Sequence, residues 1–474
     1  MSHKVIPIVP VPDDTQSLYE AQKKIHPRAV TGRFANWRWL FVWATQLVFY
    51  GLPWIPWATE QGTRQAVLFD LASRRFYLFG YVLYPQDFIY LTGLLVISAL
   101  SLFLFTAVAG RLWCGFACPQ TVYTEIFLWI ERKVEGDRPH RIKLDAGSLT
   151  TEKLVKKTFK HVLWGGFAMW TGFTFVGYFT PITELGLAFL QTRMGSWEVF
   201  WVFFYALATY GNAGFLREQV CKYMCPYARF QSAMFDADTL IVSYDTVRGE
   251  PRGTRGRKDD LVAKGLGSCI DCGLCVQVCP TGIDIRQGLQ YECIGCAACV
   301  DVCDSVMDKM EYPRGLIRFT TQNALEKGWT EHRIVQQVLR PRILVYAAVL
   351  AALTIGLATS LMLRTPLKVD VVRDRAALSR IVAGGRLENV YRLQVMNATE
   401  ESQRYRITAE GLPGLEVASE PLVAIGPAES RWVPVRVQIP YGAATPGSHP
   451  IHFRIEAMGA DVHVNEKSVF LVPR

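Results

Sequence analysis

The chain has 474 residues, half of them hydrophobic and 12% aromatic, with a formal net charge of +9. The length accommodates about three ordinary domains, and so apolar a composition excludes a solvated, coreless chain. The positive charge is spread over the polar connections between apolar stretches rather than gathered into one basic face, which excludes nucleic acid as a partner.

Residues 1–35 are rich in Pro and polar side chains, hold no apolar core and contain no cleavable signal peptide. They read as a cytoplasmic tail, disordered or loosely attached to the membrane surface. Downstream, five stretches have the length and hydropathy to cross a bilayer, which takes about 20 residues. They are Trp39–Thr59, Phe88–Gly110, Val162–Thr183, Val199–Leu216 and Ile343–Leu363. The expected fold is therefore a multi-domain, multi-pass membrane protein with a five-span α-helical bundle, spans one to four filling residues 36–216. Lys and Arg crowd the tail and the connection after the second span, including Arg132, Lys133, Arg138, Lys153 and Lys156, while the alternate connections are poor in them. Positive loops stay in the cytoplasm, so residues 217–342 are expected inside and the C-terminus outside. Ala66–Pro85 and Ile182–Thr192, too short or too charged to span, are expected to lie in the outer interface.

The second and fourth spans each run into the same motif, Cys114-Gly-Phe-Ala-Cys118-Pro119 and Cys221-Lys-Tyr-Met-Cys225-Pro226. The pair is an internal repeat, two helical hairpins ending in matching dithiols. Pro directly after Cys fits a Cys at the N-cap and Pro in the first turn of a new helix. A thiol at a helix N-terminus has a lowered pKa, and Arg111, Lys222 and Arg229 add to that effect. Three chemistries fit the four thiols. They can converge on one copper site, where soft thiolates favour copper(I) over copper(II). They can hold a further iron–sulfur cluster, or cycle through disulfides. The basic, Gly-rich run Arg248–Lys258 follows, reading either as a solvated linker or as a surface for anionic lipid or an acidic partner.

Between about residues 260 and 312 lie the other eight cysteines. Cys269, Cys272, Cys275 and Cys279 form one C-x2-C-x2-C-x3-C run and Cys293, Cys296, Cys299 and Cys303 a second, the pattern of a two-cluster bacterial ferredoxin. In that pattern the fourth cysteine of each run reaches across. Cys269, Cys272, Cys275 and Cys303 are expected on one [4Fe–4S] cluster, and Cys293, Cys296, Cys299 and Cys279 on the other. Cys303 is followed by Asp304 where Pro is usual, which removes a turn residue and no ligand. Structural zinc also uses C-x2-C pairs, but eight cysteines in this doubled order favour iron–sulfur ligation. From residue 365 to 474 cysteine is absent and short runs of period two take over, such as Tyr391–Met396 and Trp432–Ile439, separated by Gly/Pro turns. About 110 residues of this kind suit an exported immunoglobulin-like sandwich, a docking module without a catalytic constellation.

The combination of spans, twin C-x3-C-P motifs, the stretch Tyr244-Asp-Thr-Val-Arg-Gly-Glu-Pro-Arg252, the doubled ferredoxin motif and a C-terminal sandwich resembles the FixG/RdxA/CcoG family of cytochrome c oxidase accessory proteins. The first motifs also occur in the related NosR and NapH proteins; the sandwich separates this chain from them. The resemblance implies a bacterial inner-membrane protein that reduces copper(II) to copper(I) for assembly of a cbb-type cytochrome c oxidase. Its implied partners are copper ions or copper chaperones, oxidase assembly factors and the lipid bilayer. Electrons arrive from a donor the sequence does not name, external or a quinol, since no dinucleotide or flavin motif and no haem-binding histidine pair is evident; His161 reads as interfacial. Two rival readings stand beside it: an electron conduit to another membrane enzyme, and a non-enzymatic assembly scaffold.

Overall fold

The computed structural model describes residues 24–60, 62–257, 259, 264–374 and 379–473. Residues 1–23 of the expected tail, with Lys258 and residues 260–263 ahead of the clustered cysteines, lie outside the described residues.

Helix α1 (Arg33–Gly51) begins after Gly32, which has no side chain to cap the free amides of the first turn. A distant carboxylate does so instead: Asp301 accepts from the amides of Phe34 at 3.0 Å and Ala35 at 2.7 Å. The helix stops at Gly51 because Pro53 and Pro56 follow. Pro56–Thr59, expected as the end of the first span, is strand β1, paired antiparallel with β2 (Gly62–Gln65). Strands β3 (Val67–Asp70), β4 (Arg75–Leu78) and β5 (Tyr81–Leu83) complete a second small antiparallel sheet.

Helix α2 (Phe88–Ala109) carries no charge. It leads through α3 (Leu112–Phe116) into α4 (Pro119–Glu135) and α5 (Arg138–Ala146), then α6 (Thr151–Val176), α7 (Ile182–Leu190) and α8 (Ser196–Gly211). Among the described residues three helices are long and apolar enough to cross a membrane: Pro85–Ala109, Ser196–Leu216 and Pro341–Met362. The other two of the five expected spans fall short for physical reasons. α1 carries Arg33 and Arg38 and ends early, and α6 opens with Lys153, Lys156, Lys157 and Lys160, which leaves only its second half apolar. α6 and α8 pack backbone to backbone at Gly172, where a Cβ would lie 2.3 Å from the Val202 carbonyl oxygen. α4 is locked to its neighbours by buried charge. Glu131 meets Arg141 at 3.1 Å and Arg217 at 3.0 Å, and Glu135 meets Lys160 at 2.9 Å.

Beyond α9 (Pro226–Met234), strands β6 (Ile241–Tyr244) and β7 (Ile317–Thr320) pair antiparallel and enclose the clustered cysteines between them in sequence. The helix Pro341–Met362 then lies along α2, with Gly93 filled by Leu357.

The C-terminal unit is the expected immunoglobulin-like sandwich. One sheet holds β8 (Leu367–Arg373), β9 (Arg380–Val382), β10 (Arg386–Asn397), β12 (Glu416–Val417) and β14 (Ser430–Pro440); the facing sheet holds β11 (Gln403–Glu410), β13 (Leu422–Ile425), β15 (Gly447–Ala457) and β16 (His463–Val472). Alternation puts Tyr391, Leu393 and Val395 of one sheet against Ile407, Phe453 and Phe470 of the other. The sandwich sits on the small sheets beside α2. Tyr84 Oη donates to the Asn397 carbonyl at 2.9 Å, Trp57 Nε1 donates to Glu400 at 3.1 Å, and Asp87 pairs with Arg364 at 2.7 Å and also with Lys368.

Candidate functional site

The two cysteine runs fold as repeats. In each, the residues on either side of the second cysteine are left-handed: Asp271 (φ 51°) and Gly273 (φ 64°) around Cys272, Gly295 (φ 69°) and Ala297 (φ 57°) around Cys296. A non-glycine residue in that region is uncommon, and its recurrence at matched positions curls the backbone around an enclosed space. Cys269, Cys272, Cys275 and Cys303 line one cavity. Cys279, Cys293, Cys296 and Cys299 line a second, and Cys275 borders both. Among the described residues no group of three or more His, Cys, Asp or Glu is already drawn in as a metal-holding set.

The chemistry of the two donor sets nevertheless fits iron–sulfur clusters. Burial pushes the Cys275 thiol up to about 11 and the Cys293 and Cys303 thiols up to about 12, and raises Cys299 well above its usual range. Thiols so placed ionise only with positive charge among them, which iron supplies. Cys272 alone of the eight is exposed, so the first cavity reaches the protein surface.

The other four cysteines come together as well. Cys118 is the N-cap of α4 with Pro119 in its first turn, and Cys225 is the N-cap of α9 with Pro226. Each of Cys114, Cys118 and Cys225 opposes ionisation of Cys221, as near neighbours do. Gln120 ties the two hairpins by donating to the carbonyls of Asn212 at 2.9 Å and Arg217 at 3.1 Å. Cys114 lies 3.4 Å from the Gln231 amide, and its carbonyl accepts from Thr121 Oγ1 at 2.5 Å.

Two expectations about these thiols need correcting. The sequence repeat is not a backbone repeat: Cys114 is in the short helix α3, whereas Cys221 lies in the second of two π-helical turns, Asn212–Leu216 and Val220–Met224, with Arg217 between them at φ 42°. Such turns concentrate at functional sites. Nor are the pKa values of Cys114, Cys118 and Cys221 lowered. Burial pushes Cys114 up to about 11 and Cys221 up to about 12, and raises Cys118 despite hydrogen bonds from the Gln120 and Thr121 amides. Arg111, whose guanidinium donates to the carbonyls of Tyr291, Ala228 and Cys293, favours ionisation of Cys114 and Cys221, but burial outweighs it.

The two cysteine sets are in direct contact. Gly115, inside the first C-x3-C-P motif, packs on the backbone of Gly295 and Cys296, where a Cβ would come within 2.8 Å. Cys221 and Cys296 line one cavity, and Cys114 and Cys221 pack against the apolar cluster that contains Cys296. Arg38, 7% exposed, reaches into the same place, its charge favouring ionisation of Cys296. Arg38, Gly115, Gln231 and Asp301 are site residues that motif reading passed over. The one available signal was an arginine at the edge of an apolar stretch, Arg38, since intramembrane charge marks function. His161, for its part, meets Tyr210 Oη at 2.8 Å through Nδ1.

Comparison with known proteins matches the same regions. The profile of a 4Fe-4S dicluster domain matches residues 216–322, that of a 4Fe-4S binding domain residues 91–135, and that of the IG-like fold at the C-terminal of FixG residues 357–473. The chain is 38% identical over 456 residues to the nitrogen fixation protein FixG of Rhizobium meliloti, covering 89% of this chain and 87% of the relative. It is 39% identical over 414 residues to protein RdxA of Cereibacter sphaeroides, covering 86% of each, and 37% identical over 468 residues to RdxB of the same organism, covering 96% and 98%.

Proposed function

Because the chain belongs to the FixG/RdxA family, we propose that this iron–sulfur electron-transfer protein delivers single electrons to copper(II) and releases copper(I) for assembly of a cbb-type cytochrome c oxidase. The observation that carries the reading is the contact between the two cysteine sets, with Gly115 seated on the backbone of Cys296. When bound, the two [4Fe–4S] clusters supply one electron each. Cys269, Cys272, Cys275 and Cys303 would hold the first, and Cys293, Cys296, Cys299 and Cys279 the second.

In this proposal Cys114, Cys118, Cys221 and Cys225 bind the copper substrate. Copper(II) gains one electron there, and four soft donors favour the copper(I) product. Gln231 orients Cys114, while Gln120 holds the hairpins at the separation the four thiols need. Arg38 and Arg111 place positive charge beside the second cavity, on the side facing the copper thiols. The orientation proposed with it takes α1 and α6 to cross alongside the three more apolar helices, and puts the N-terminus, both cavities and the four thiols in the cytoplasm of a bacterium, at its inner membrane. The sandwich is then in the periplasm, available to copper chaperones and oxidase assembly factors.

A second reading is favoured by one finding. The 4Fe-4S binding profile over residues 91–135 includes Cys114 and Cys118, so in this alternative the four thiols hold a third cluster and the chain is an electron conduit. Purified protein, reduced anaerobically, is assayed for copper(I) formation and for iron, alongside Cys114→Ala and Cys221→Ala. The copper reading expects about eight irons per chain and loss of copper(I) formation in both variants with iron unchanged. About twelve irons, falling by about four in the variants, establishes the third cluster. Copper(II) reduction at the wild-type rate in both variants overturns the copper role.

A further inference from the structure

Two adjoining spaces lie along α1 and α4, neither of them lined by a cysteine. The first is a polar pocket walled by four guanidinium groups, Arg28, Arg38, Arg132 and Arg141, with one carboxylate, Glu125, among them. Arg38 and Arg141 are 7% and 2% exposed, and the Nε of each is buried without a hydrogen-bond partner. Arg141 has Glu131 at 3.1 Å, but shares that carboxylate with Arg217. Buried donors left unmade are costly, and the four guanidinium groups outnumber the carboxylates about them: Glu125, the shared Glu131, and Asp301, which acts on Arg38. Guanidinium forks match phosphate oxygens in geometry as well as charge.

The second space is a groove of about 720 Å³ with almost wholly apolar walls, among them Trp39, Trp43, Trp54, Trp129 and Trp170. Trp39 and Trp129, in edge-to-face contact with centroids 6.4 Å apart, line both spaces, so the pocket and the groove adjoin at this indole pair. From Trp39 to Gly51 the groove follows α1 for roughly 18 Å at 1.5 Å per residue, somewhat more than half of a bilayer core about 30 Å thick.

We infer that the two spaces form a binding site for one anionic phospholipid, its phosphodiester among the four arginines and an acyl chain in the tryptophan-walled groove. An aromatic belt alone explains the indoles but not two buried, partnerless Nε atoms beside them. A neutral lipophile such as a quinone fills the groove and leaves the arginines unmatched. A soluble anion answers the arginines and leaves the groove empty. Val278, Pro280 and Ala298 of the clustered-cysteine module also line the pocket, so the bound headgroup touches the module and fastens it to the bilayer. The site does not depend on the copper reading.

The test uses the full chain in phosphatidylcholine vesicles containing a small, fixed fraction of brominated phosphatidylglycerol or of brominated phosphatidylcholine. Bromine quenches the indoles it touches. The wild type is expected to be quenched several-fold more by the brominated phosphatidylglycerol, and added inorganic phosphate should not change this. The double variant Arg28→Gln/Arg132→Gln, which breaks no ion pair between described residues, should lose the preference while keeping its iron content. Equal quenching by the two lipids in the wild type overturns the inference, as does a preference that survives in the double variant. A preference abolished by inorganic phosphate also overturns it, making the pocket a site for a free anion.

Discussion

A side chain at Gly115 tests the contact on which the proposed electron route depends. The ideal Cβ at that position lies 2.8 Å from the carbonyl carbon of Gly295 and 2.9 Å from both the nitrogen and the Cα of Cys296. Carbon contacts are comfortable from about 3.5 Å, so backbone must retreat by roughly 0.7 Å. Neither side yields easily. Residues 291–293 are pinned by Arg111, and the other face of the motif is held by the bonds from the amides of Ala117 and Cys118 to the Trp113 carbonyl, both 3.0 Å. Overpacking of this kind costs about 1–3 kcal/mol. At about 1.4 kcal/mol per factor of ten, the docked arrangement in Gly115→Val is weakened roughly 5- to 150-fold. Hydrogen exchange of the Ile294–Cys296 amides should accelerate, copper(I) formation by the reduced protein should slow, and iron content should stay at the wild-type level. Faster exchange with copper(I) formation at the wild-type rate would refute the contact as the route. Unchanged exchange would refute the packing calculation.

Asp301→Ala removes both acceptors for the first turn of α1; charge-assisted bonds of this type are worth about 1.5–3 kcal/mol, to be read as earlier exchange of the Phe34 and Ala35 amides. Asp87→Asn leaves Arg364 and Lys368 without their buried partner, a loss of up to about 3–5 kcal/mol for the buried pair, and limited proteolysis should cut between the last long helix and β8 sooner than in the wild type. Acid acts on the charges around α4. Burial alone would raise Glu131, but Arg217, Arg141 and Lys160 outweigh it and hold the carboxyl below its usual range; Asp145 is likewise lowered by Lys157 and Lys24 against its burial. A lowered carboxylate stabilises at pH values above its unfolded pKa, about 4, and the contribution is lost as pH falls through the folded value. The protection of α4 and α5 amides, measured relative to the intrinsic exchange rate at each pH, should therefore be flat from pH 8 to about 5 and fall below about 4, and Glu131→Gln should show the reduced protection already at neutral pH.

The eight-cysteine module was legible because its spacing is local and strict: the turns around Cys272 and Cys296 leave little freedom once the thiols share a cavity. The sandwich was legible for the same kind of reason, since alternation along β10 and β14 is a period written in neighbouring residues. Hydropathy found the apolar stretches but could not count membrane-crossing helices. Prolines 53 and 56 break the first into helix and hairpin, and the lysines that begin α6 belong to the same helix as its apolar half. The twin C-x3-C-P motifs announced a repeat whose backbone is not repeated, because Cys221 lies in a π turn where Cys114 lies in a short α-helix. Helix N-terminal position suggested an acidic thiol at Cys118, and burial, which no local pattern reports, reversed the direction. Asp301 capping a helix 266 positions away is invisible to any window reading.

The pairing of α2 with the helix Pro341–Met362 ties the two ends of the molecule mechanically. At one end Arg364 grips Asp87 just ahead of α2. At the other, Arg340 donates to the Ala107 carbonyl at 2.7 Å and, with Arg342, clasps Asp236. The single glycine within α2 is packed by Leu357, and no proline interrupts its 22 residues, a rod of about 33 Å. The sandwich is bolted to one end of this strut, and Cys114 follows a few residues beyond the other. A load applied to the sandwich therefore meets a braced beam before it meets a joint, and the first joint it reaches is the turn at Gly110 that sets the pitch of the thiol motif.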